Sequence, residues 1–190
     1  MKSRKIISVL LAVTLMLSAF VLTSCKEENA GDKEGTKKVL TVYTNAEFPP
    51  FEYLADNKPV GVDMQIAQAI ADELGMELSI QNVKFDTILT SISSGKGDLG
   101  IAGITVTPER AESVDFSNNY ATSTQYILYK DGANITTIED LAGLKIGVQL
   151  GTTGDFIISD EINGVDDEET GEHKKGVLEG TGATVTQYNS

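Results

Sequence analysis

A glycine, a threonine and an arginine occur close together where a predicted strand ends and a helix begins. Gly103 lets a bound molecule approach the main chain, and Thr105 offers both a backbone N–H and a hydroxyl. The guanidinium of Arg110 has the planar fork that suits a carboxylate. These residue types at this spacing predict an anion site. The alternative is that Arg110 is a solvated surface charge.

A second candidate anion site is the sequence Gly-Thr-Thr-Gly at residues 151–154. Backbone N–H groups at the start of a helix favour negative charge. Threonine also caps helices routinely, so the segment has an ordinary structural interpretation as well. A third motif, G-x-G-x-x-G at residues 95–100, is rejected as a nucleotide site because it follows a helix and opens a strand, the reverse of the required order.

Composition excludes several classes of protein. The 190-residue chain has 15 Lys and Arg against 28 Asp and Glu, a formal net charge of -13, one Cys and one His. One Cys cannot form an internal disulfide, and one Cys with one His cannot supply a structural zinc site. The negative charge repels phosphate backbones, which argues against nucleic-acid binding. We expect no metal, no cofactor and no catalytic residue.

The first residues have the pattern of an export signal. A basic start at residues 1–5 precedes an apolar run at residues 6–22, and residues 22–25 read Leu-Thr-Ser-Cys. This ending resembles the lipobox of bacterial lipoproteins, in which the cysteine is diacylated and becomes the first residue after cleavage. We expect a signal peptide at 1–24, Cys25 as the lipid anchor and a flexible tether over 25–38. The alternative is a free cysteine that happens to end a signal peptide.

Hydrophobic periodicity predicts alternating strands and helices in the rest of the chain, the order of parallel α/β units. Helix 63–74 is expected to place Leu74 on its apolar face. Residues 160–182 are expected to form a solvated acidic loop rather than a calcium site, because the acids lack EF-hand spacing. The predicted elements are strands at 39–43, 76–83, 99–102, 124–130, 145–149 and 184–188, a hairpin at 51–60, helices at 63–74, 86–93 and from 107, and a capping box at 137–140.

Several segments together resemble the polar amino-acid solute-binding proteins of ABC importers. They are residues 45–52, 61–64, 103–110, 114–117 and 148–154, in the family's order across about residues 39–158. The resemblance implies an α/β, two-lobe, periplasmic-binding-protein-like (type 2) fold. The first lobe would be residues 39–122, and the crossover and an incomplete second lobe would be residues 123–190.

The resemblance also implies a role for each site residue. Arg110 would clamp the α-carboxylate of a free amino acid with Thr105 and Thr153, and Gly103 and Thr105 would meet the α-ammonium. Phe48 and Phe85 would sandwich the ligand side chain, unless Phe85 is simply a core aromatic residue. Asn45 and Gln149 would read the head group of that side chain. The full predicted ligand-binding set is Asn45, Phe48, Phe85, Gly103, Thr105, Arg110, Gln149, Thr152 and Thr153.

The sequence departs from the family pattern by stopping at Ser190. We expect a truncated chain with weak or no amino-acid affinity for residues 26–190 alone. The resemblance implies an exported, lipid-anchored monomer that delivers its ligand to ABC permease subunits after hinge closure. The neutral Asn45 favours a neutral polar ligand.

Two other functions are weighed against this one. Some extracytoplasmic dehydratases, of the cyclohexadienyl or arogenate type, use the same fold. Such an enzyme needs a general acid or base in its cleft, and the single histidine, His173, lies in the acidic loop instead. A ligand-sensing receptor domain is disfavoured by the lipobox and by the lack of an apolar span after residue 25.

Overall fold

A three-stranded parallel sheet organises the first part of the chain in the computed structural model, which describes residues 38–189. Strand β1 (Val39–Thr44) lies between β5 (Glu77–Asn82) and β6 (Leu99–Gly100). Burial alternates along β1, where Leu40, Val42 and Thr44 are buried and the residues between them are partly exposed. All three strands point the same way, which brings their carboxyl ends to one edge of the sheet.

Helix α1 (Val62–Glu73) covers this sheet. Ala67 and Ala71 are fully buried, because their small side chains let the helix approach the strands closely. Leu74 is 58% exposed and does not belong to the buried face as predicted, since it caps the helix just before the chain turns at Gly75. The buried core of this part comprises Leu40, Val42, Met64, Ala67, Ala71 and Ile101.

A small antiparallel sheet precedes α1. It contains β2 (Glu47–Phe48), β3 (Glu52–Ala55) and β4 (Lys58–Val60), in that order. Asp56 and Asn57 form the tight turn between β3 and β4, with φ of 49° and 60°. Two successive residues with positive φ suit the twist of a hairpin, and Asn and Asp tolerate that conformation. The predicted hairpin is therefore present.

Two short helices complete the first part. A 3-10 turn (Phe85–Thr87) leads into α2 (Ile88–Ser93), and α3 (Pro108–Ala111) follows β6. The Oγ1 atom of Thr107 accepts a hydrogen bond from the Arg110 N–H at 3.3 Å, as expected for a helix N-cap followed by proline.

A second, two-stranded parallel sheet lies in the later part of the chain. It consists of β7 (Lys145–Gln149) and β10 (Thr184–Tyr188), with α4 (Thr153–Asn163) packed beside them. A 3-10 helix (Ile138–Leu141) precedes β7 and has the predicted capping box between Thr137 and Asp140. The buried core of this part comprises Leu141, Ile158, Leu178 and Ala183.

Two predicted elements differ from the structure. Residues 124–130 form no strand, because no other strand of residues 38–189 pairs with them, and Leu128 there is 96% exposed. Residues 160–182 are not simply a loop: α4 extends to Asn163, and β8 (Val165–Asp166) pairs with β9 (His173–Lys174).

The predicted signal peptide, the lipidated Cys25 and all of the tether except Lys38 lie outside the described residues. Among residues 38–189, none of the helices combines the length and the apolar character needed to cross a bilayer.

Candidate binding cleft

A cleft of about 230 Å³ opens where β1, β6 and β7 end. Asn45 directly follows β1, Gly103 lies shortly beyond β6, and Gln149 is the last residue of β7. Ligands of open α/β sheets bind outside the carboxyl ends of the strands, so this is the expected place for a site. The cleft is lined by Asn45, Phe48, Glu52, Phe85, Ala102, Gly103, Thr105, Ser123, Gln125, Gln149, Thr152 and Thr153.

A larger cavity lies beside this cleft. It has a volume of about 360 Å³ and runs along residues 98–106 and 114–123. It includes neither Asn45 nor Gln149, and the residues that it shares with the cleft are Phe48, Ala102, Gly103, Thr105 and Ser123. We assign the candidate site to the smaller cleft because, of these two cavities, it is the one lined by polar residues that end or follow strands of both parallel sheets.

Two side-chain contacts join the two sides of the cleft. Gln149 donates from Nε2 to the Oδ1 atom of Asn45 at 2.9 Å. The Nδ2 group of Asn45 donates to the Val83 carbonyl at 2.9 Å, which fixes the orientation of the amide. The hydroxyls of Thr153 and Thr105 lie 3.2 Å apart. The polar residues predicted from sequence to share a site are therefore close together in the structure.

Arg110 lies beside the cleft and is only 6% exposed. Its Nη1 atom donates to the Thr105 carbonyl at 2.7 Å, and Nη2 donates to the Gly151 carbonyl at 2.9 Å. The rings of Phe85 and Phe156 lie 5.8 and 5.6 Å from the guanidinium carbon. This burial lowers the pKa of Arg110, with the nearby Glu109 opposing the shift.

No carboxylate in the described part of the chain forms a salt bridge with Arg110. The two carbonyl oxygens accept hydrogen bonds from the guanidinium, and the two aromatic rings shield it from water. Neither kind of group supplies a negative charge. A buried cation without a counter-ion is costly. The arrangement therefore favours an incoming carboxylate next to Arg110.

The start of α4 forms the facing wall. Thr152 caps the helix, accepting from the Asp155 N–H at 3.3 Å, and donates its hydroxyl proton to the Gln149 carbonyl at 2.8 Å. The buried Asp155 in turn accepts from the Gly151 N–H at 2.9 Å. Part of the predicted anion nest is thus filled by the protein's own carboxylate. The N–H groups of Thr153 and Gly154 belong to the first helical turn, where they have no intrahelical acceptor.

Two aromatic residues differ in their surroundings. Phe48 is 48% exposed and stacks on Phe51, with ring centroids 5.7 Å apart. Phe85 is half-buried and covers the Arg110 guanidinium, and it belongs to neither core cluster. Both rings line the cleft, as a sandwich of a ligand side chain requires.

A group of buried polar residues behind Gly103 was not predicted from the sequence. Glu52 is 1% exposed and Asp63 is completely buried. The Oδ2 atom of Asp63 accepts from the Tyr120 hydroxyl at 3.0 Å and from the Gly103 N–H at 3.3 Å. Glu52 and Asp63 lie in the segments 45–52 and 61–64 that carry the family resemblance, but the sequence pattern does not indicate that these acidic residues are buried.

A family of known proteins matches this chain. The model of the bacterial extracellular solute-binding proteins, family 3, matches residues 40–189. The chain belongs to this family. The resemblance stated from sequence and the α/β binding-protein fold are thereby confirmed.

Relatives of this family 3 protein are known by sequence and by structure. An arginine-binding extracellular protein, ArtP of Bacillus subtilis (strain 168), is 38% identical over 143 residues, covering 75% of this chain and 56% of the relative. A solved ancestral arginine-binding protein bound to arginine has a TM-score of 0.69 at 36% identity, covering 82% of this chain and 62% of the other. An ancestral amino acid-binding protein described as a precursor of cyclohexadienyl dehydratase has a TM-score of 0.65 at 31% identity, covering 80% and 61%. The chain thus spans about three-fifths of the length of these relatives.

All three relatives are described as binding proteins, and the third is described as the precursor of an enzyme. The family is extracellular by description, which fits an exported protein. Within residues 38–189, no group of three His, Cys, Asp or Glu side chains is placed to hold a metal ion.

Proposed function

We propose that this family 3 protein captures a free amino acid for an ABC importer and does not catalyse a reaction. The observation that carries the proposal is Arg110, a buried guanidinium beside the cleft with no carboxylate counter-ion in the described part of the chain. The α-carboxylate of an amino acid supplies the missing charge. Thr105 and Thr153 supply hydroxyls and backbone N–H groups on either side of it.

The remaining cleft residues suit the rest of an amino acid. The Gly103 carbonyl and Thr105 accept the α-ammonium. Phe48 and Phe85 enclose the side chain, while the linked amides of Asn45 and Gln149 reach its head group. Thr152 holds the loop before α4 in place through its bond to the Gln149 carbonyl.

Contacts that cross the cleft support a proposal for how the ligand is delivered. Arg110 donates a hydrogen bond to the Gly151 carbonyl, and Gln149 donates one to the side chain of Asn45. Residues that follow or end strands of the two parallel sheets therefore contact each other across the cleft. A ligand that contacts both sides stabilises the closed arrangement over an open one. We propose that permease subunits recognise the closed form, and that a monomer, anchored through a lipid on Cys25, presents it at the outer face of the membrane.

The test is a nuclear magnetic resonance titration of the 190-residue chain with each of the twenty amino acids, which also detects weak binding. Any affinity of this chain is expected to be weak, so each amino acid is added to high concentration, and we expect at least one of them to give saturable shifts of the Gly103 and Thr105 amides. Arg110→Lys keeps the charge but loses the planar fork. A charge-assisted hydrogen bond contributes about 1.5–3 kcal/mol, so this change is expected to weaken binding by at least about tenfold.

The matched control is Lys84→Met, which removes an exposed cation from the loop before Phe85 and is expected to leave the affinity unchanged. Absence of saturable shifts with every amino acid contradicts the proposal. Equal affinities of the wild type and Arg110→Lys contradict the role of Arg110.

A further inference from the structure

Glu52 and Asp63 are brought together by the backbone. The Asp63 N–H at the start of α1 donates to the Phe51 carbonyl at 2.9 Å, and the Val62 N–H donates to the Pro50 carbonyl at 3.2 Å. The first turn of α1 therefore lies against the residues that lead into β3. Glu52 begins β3 and Asp63 lies in that first turn, so both carboxyls are buried in the same interior region and are close enough to interact.

Each of these two carboxyls has one oxygen without a donor in the described structure. They are Oε2 of Glu52 and Oδ1 of Asp63, and both are inaccessible to solvent. Two buried carboxylates side by side repel each other and leave acceptors unsatisfied. One proton held by the pair removes this repulsion and supplies a donor that two ionised carboxyls lack. Burial and the neighbouring Asp63 accordingly raise the pKa of Glu52 to about 9.

The second oxygen of Asp63 connects this pair to the cleft. Tyr120 donates its hydroxyl proton to Oδ2 of Asp63, and the same hydroxyl oxygen accepts from the Gly103 N–H at 3.1 Å. The Gly103 N–H also reaches Oδ2 directly. Gly103 has a φ of 55°, a left-handed conformation that glycine adopts readily. Its position at the cleft is therefore held by acceptors from α1 and from the segment after α3.

We propose that Glu52, Asp63 and Tyr120 are positioning residues of the cleft. The two carboxyls share one proton, and Asp63 together with the Tyr120 hydroxyl holds the Gly103 main chain in the position that binds the ligand. The nature of the ligand in this proposal rests on the proposed function, but the proton shared by the two carboxyls does not depend on a ligand.

Few titratable groups face this cluster. The group that acts on Glu52 from α1 is Asp63, and the groups that act on Tyr120 are Asp63 and Glu52. Tyr120 is half-exposed, and its partial burial and these two carboxyls raise the pKa of its hydroxyl, which therefore stays protonated and remains a donor. No Lys, Arg or His of residues 38–189 contributes to either shift. Because no basic side chain of these residues contributes, the negative charge of the cluster is lowered by the proton that the two carboxyls share.

The first experiment needs neither a variant nor a ligand. Carbon-detected nuclear magnetic resonance of the Glu52 and Asp63 carboxyl carbons in the 190-residue chain is recorded from pH 5 to pH 10. We expect the pair to keep one proton at pH 7.5 and to lose it at higher pH, and the Gly103 amide to shift with the same midpoint. Two fully ionised carboxyls at pH 7.5 would overturn the proposal.

The second experiment measures the affinity for L-arginine as the probe at pH 7 and pH 9.5. Glu52→Gln carries a permanent donor in place of the protonated carboxyl, so it is expected to match the wild type at pH 7 and to bind more tightly than the wild type at pH 9.5. At a given pH the α-ammonium of L-arginine has the same protonation state whether the wild type or Glu52→Gln is measured. The ratio of these two affinities therefore reports the effect of Glu52 alone. Tyr120→Phe removes a neutral hydrogen bond and is expected to weaken binding about fivefold at pH 7.

The control is Glu47→Gln on β2, an exposed residue, which is expected to follow the wild type at both pH values. A wild-type to Glu52→Gln ratio that is the same at pH 7 and pH 9.5 would overturn the proposal. If the carboxyls share a proton but no amino acid binds, the proposed function is wrong and the shared proton is confirmed. If an amino acid binds but the carboxyls share no proton, the proposed function is supported and the positioning proposal is wrong.

Discussion

Replacing Glu52 by glutamine should make the protein's stability much less sensitive to pH. Above the ordinary pKa of 4.5 the unfolded chain has released the Glu52 proton, whereas the folded chain keeps it until about pH 9. The unfolded state therefore binds fewer protons than the folded state in this window. Stability then falls as pH rises, because each unit of pH favours the state with fewer protons.

The expected size follows from the same pKa. One proton of difference changes the free energy of unfolding by about 1.4 kcal/mol per pH unit, so the wild type loses about 4 kcal/mol between pH 5 and pH 8 through Glu52. Glutamine has no proton to release. We therefore expect Glu52→Gln to resemble the wild type near pH 5 and to be more stable by up to about 4 kcal/mol at pH 8.

Urea denaturation followed by circular dichroism measures this difference, since the chain has no Trp to report on unfolding. At a slope of about 2 kcal/mol per molar urea, the midpoints should separate by up to about 2 M at pH 8. Glu47→Gln is the matched control and should follow the wild type. A constant difference between wild type and Glu52→Gln from pH 5 to pH 8, or one that changes in the opposite direction, refutes the reasoning.

Two further changes test local structure. Gly61→Ala should lower the free energy of unfolding in urea titrations by at least about 2 kcal/mol, because φ is 124° there and a Cβ atom would overlap the Phe51 carbonyl. Gly75→Ala is the control and should lower the free energy of unfolding less, because Gly75 has φ of 64° and open space around it. Equal losses in the two variants would contradict this account. His173 bonds Glu179 and Asp166, which raise its pKa, so this contact stabilises β8 and β9 below the unfolded pKa of about 6.5 and is lost as pH rises through the folded value. Hydrogen-exchange protection factors of the hairpin should accordingly be higher at pH 6 than at pH 8.5, and should not vary with pH in His173→Gln; a wild-type hairpin equally protected at both pH values would contradict the expectation.

Local rules predicted most elements of the fold. The strand at Val39, the hairpin turn at Asp56 and Asn57, and the cap at Thr107 each depend on residues that are neighbours in sequence. Residues 124–130 have the composition of a strand as well, but a strand also needs partners for its backbone groups. That requirement is tertiary, and it decides against a strand in the described structure.

The cleft was predictable to the extent that its residues follow strands or begin helices. Parallel pairing of β1 and β6 brings Asn45 and Gly103 to the same edge of the first sheet. Gln149 ends β7 in the second sheet, and its contact with Asn45 depends on the tertiary fold. Which acceptors hold the Arg110 guanidinium was not predictable, because the Gly151 carbonyl lies far away in sequence and reaches it only through the fold.

The sequence by itself determined the chemistry available: an excess of acids, an Arg110 suited to a carboxylate, and the order of strands and helices. Only the tertiary structure decided which of those acids are buried. Glu52 and Asp63 have no distinguishing pattern in sequence, yet the docking of α1 on Phe51 excludes water from both. Desolvation depends on everything that packs around a group, and it is this exclusion of water that turns two ordinary carboxyls into a pair that shares a proton.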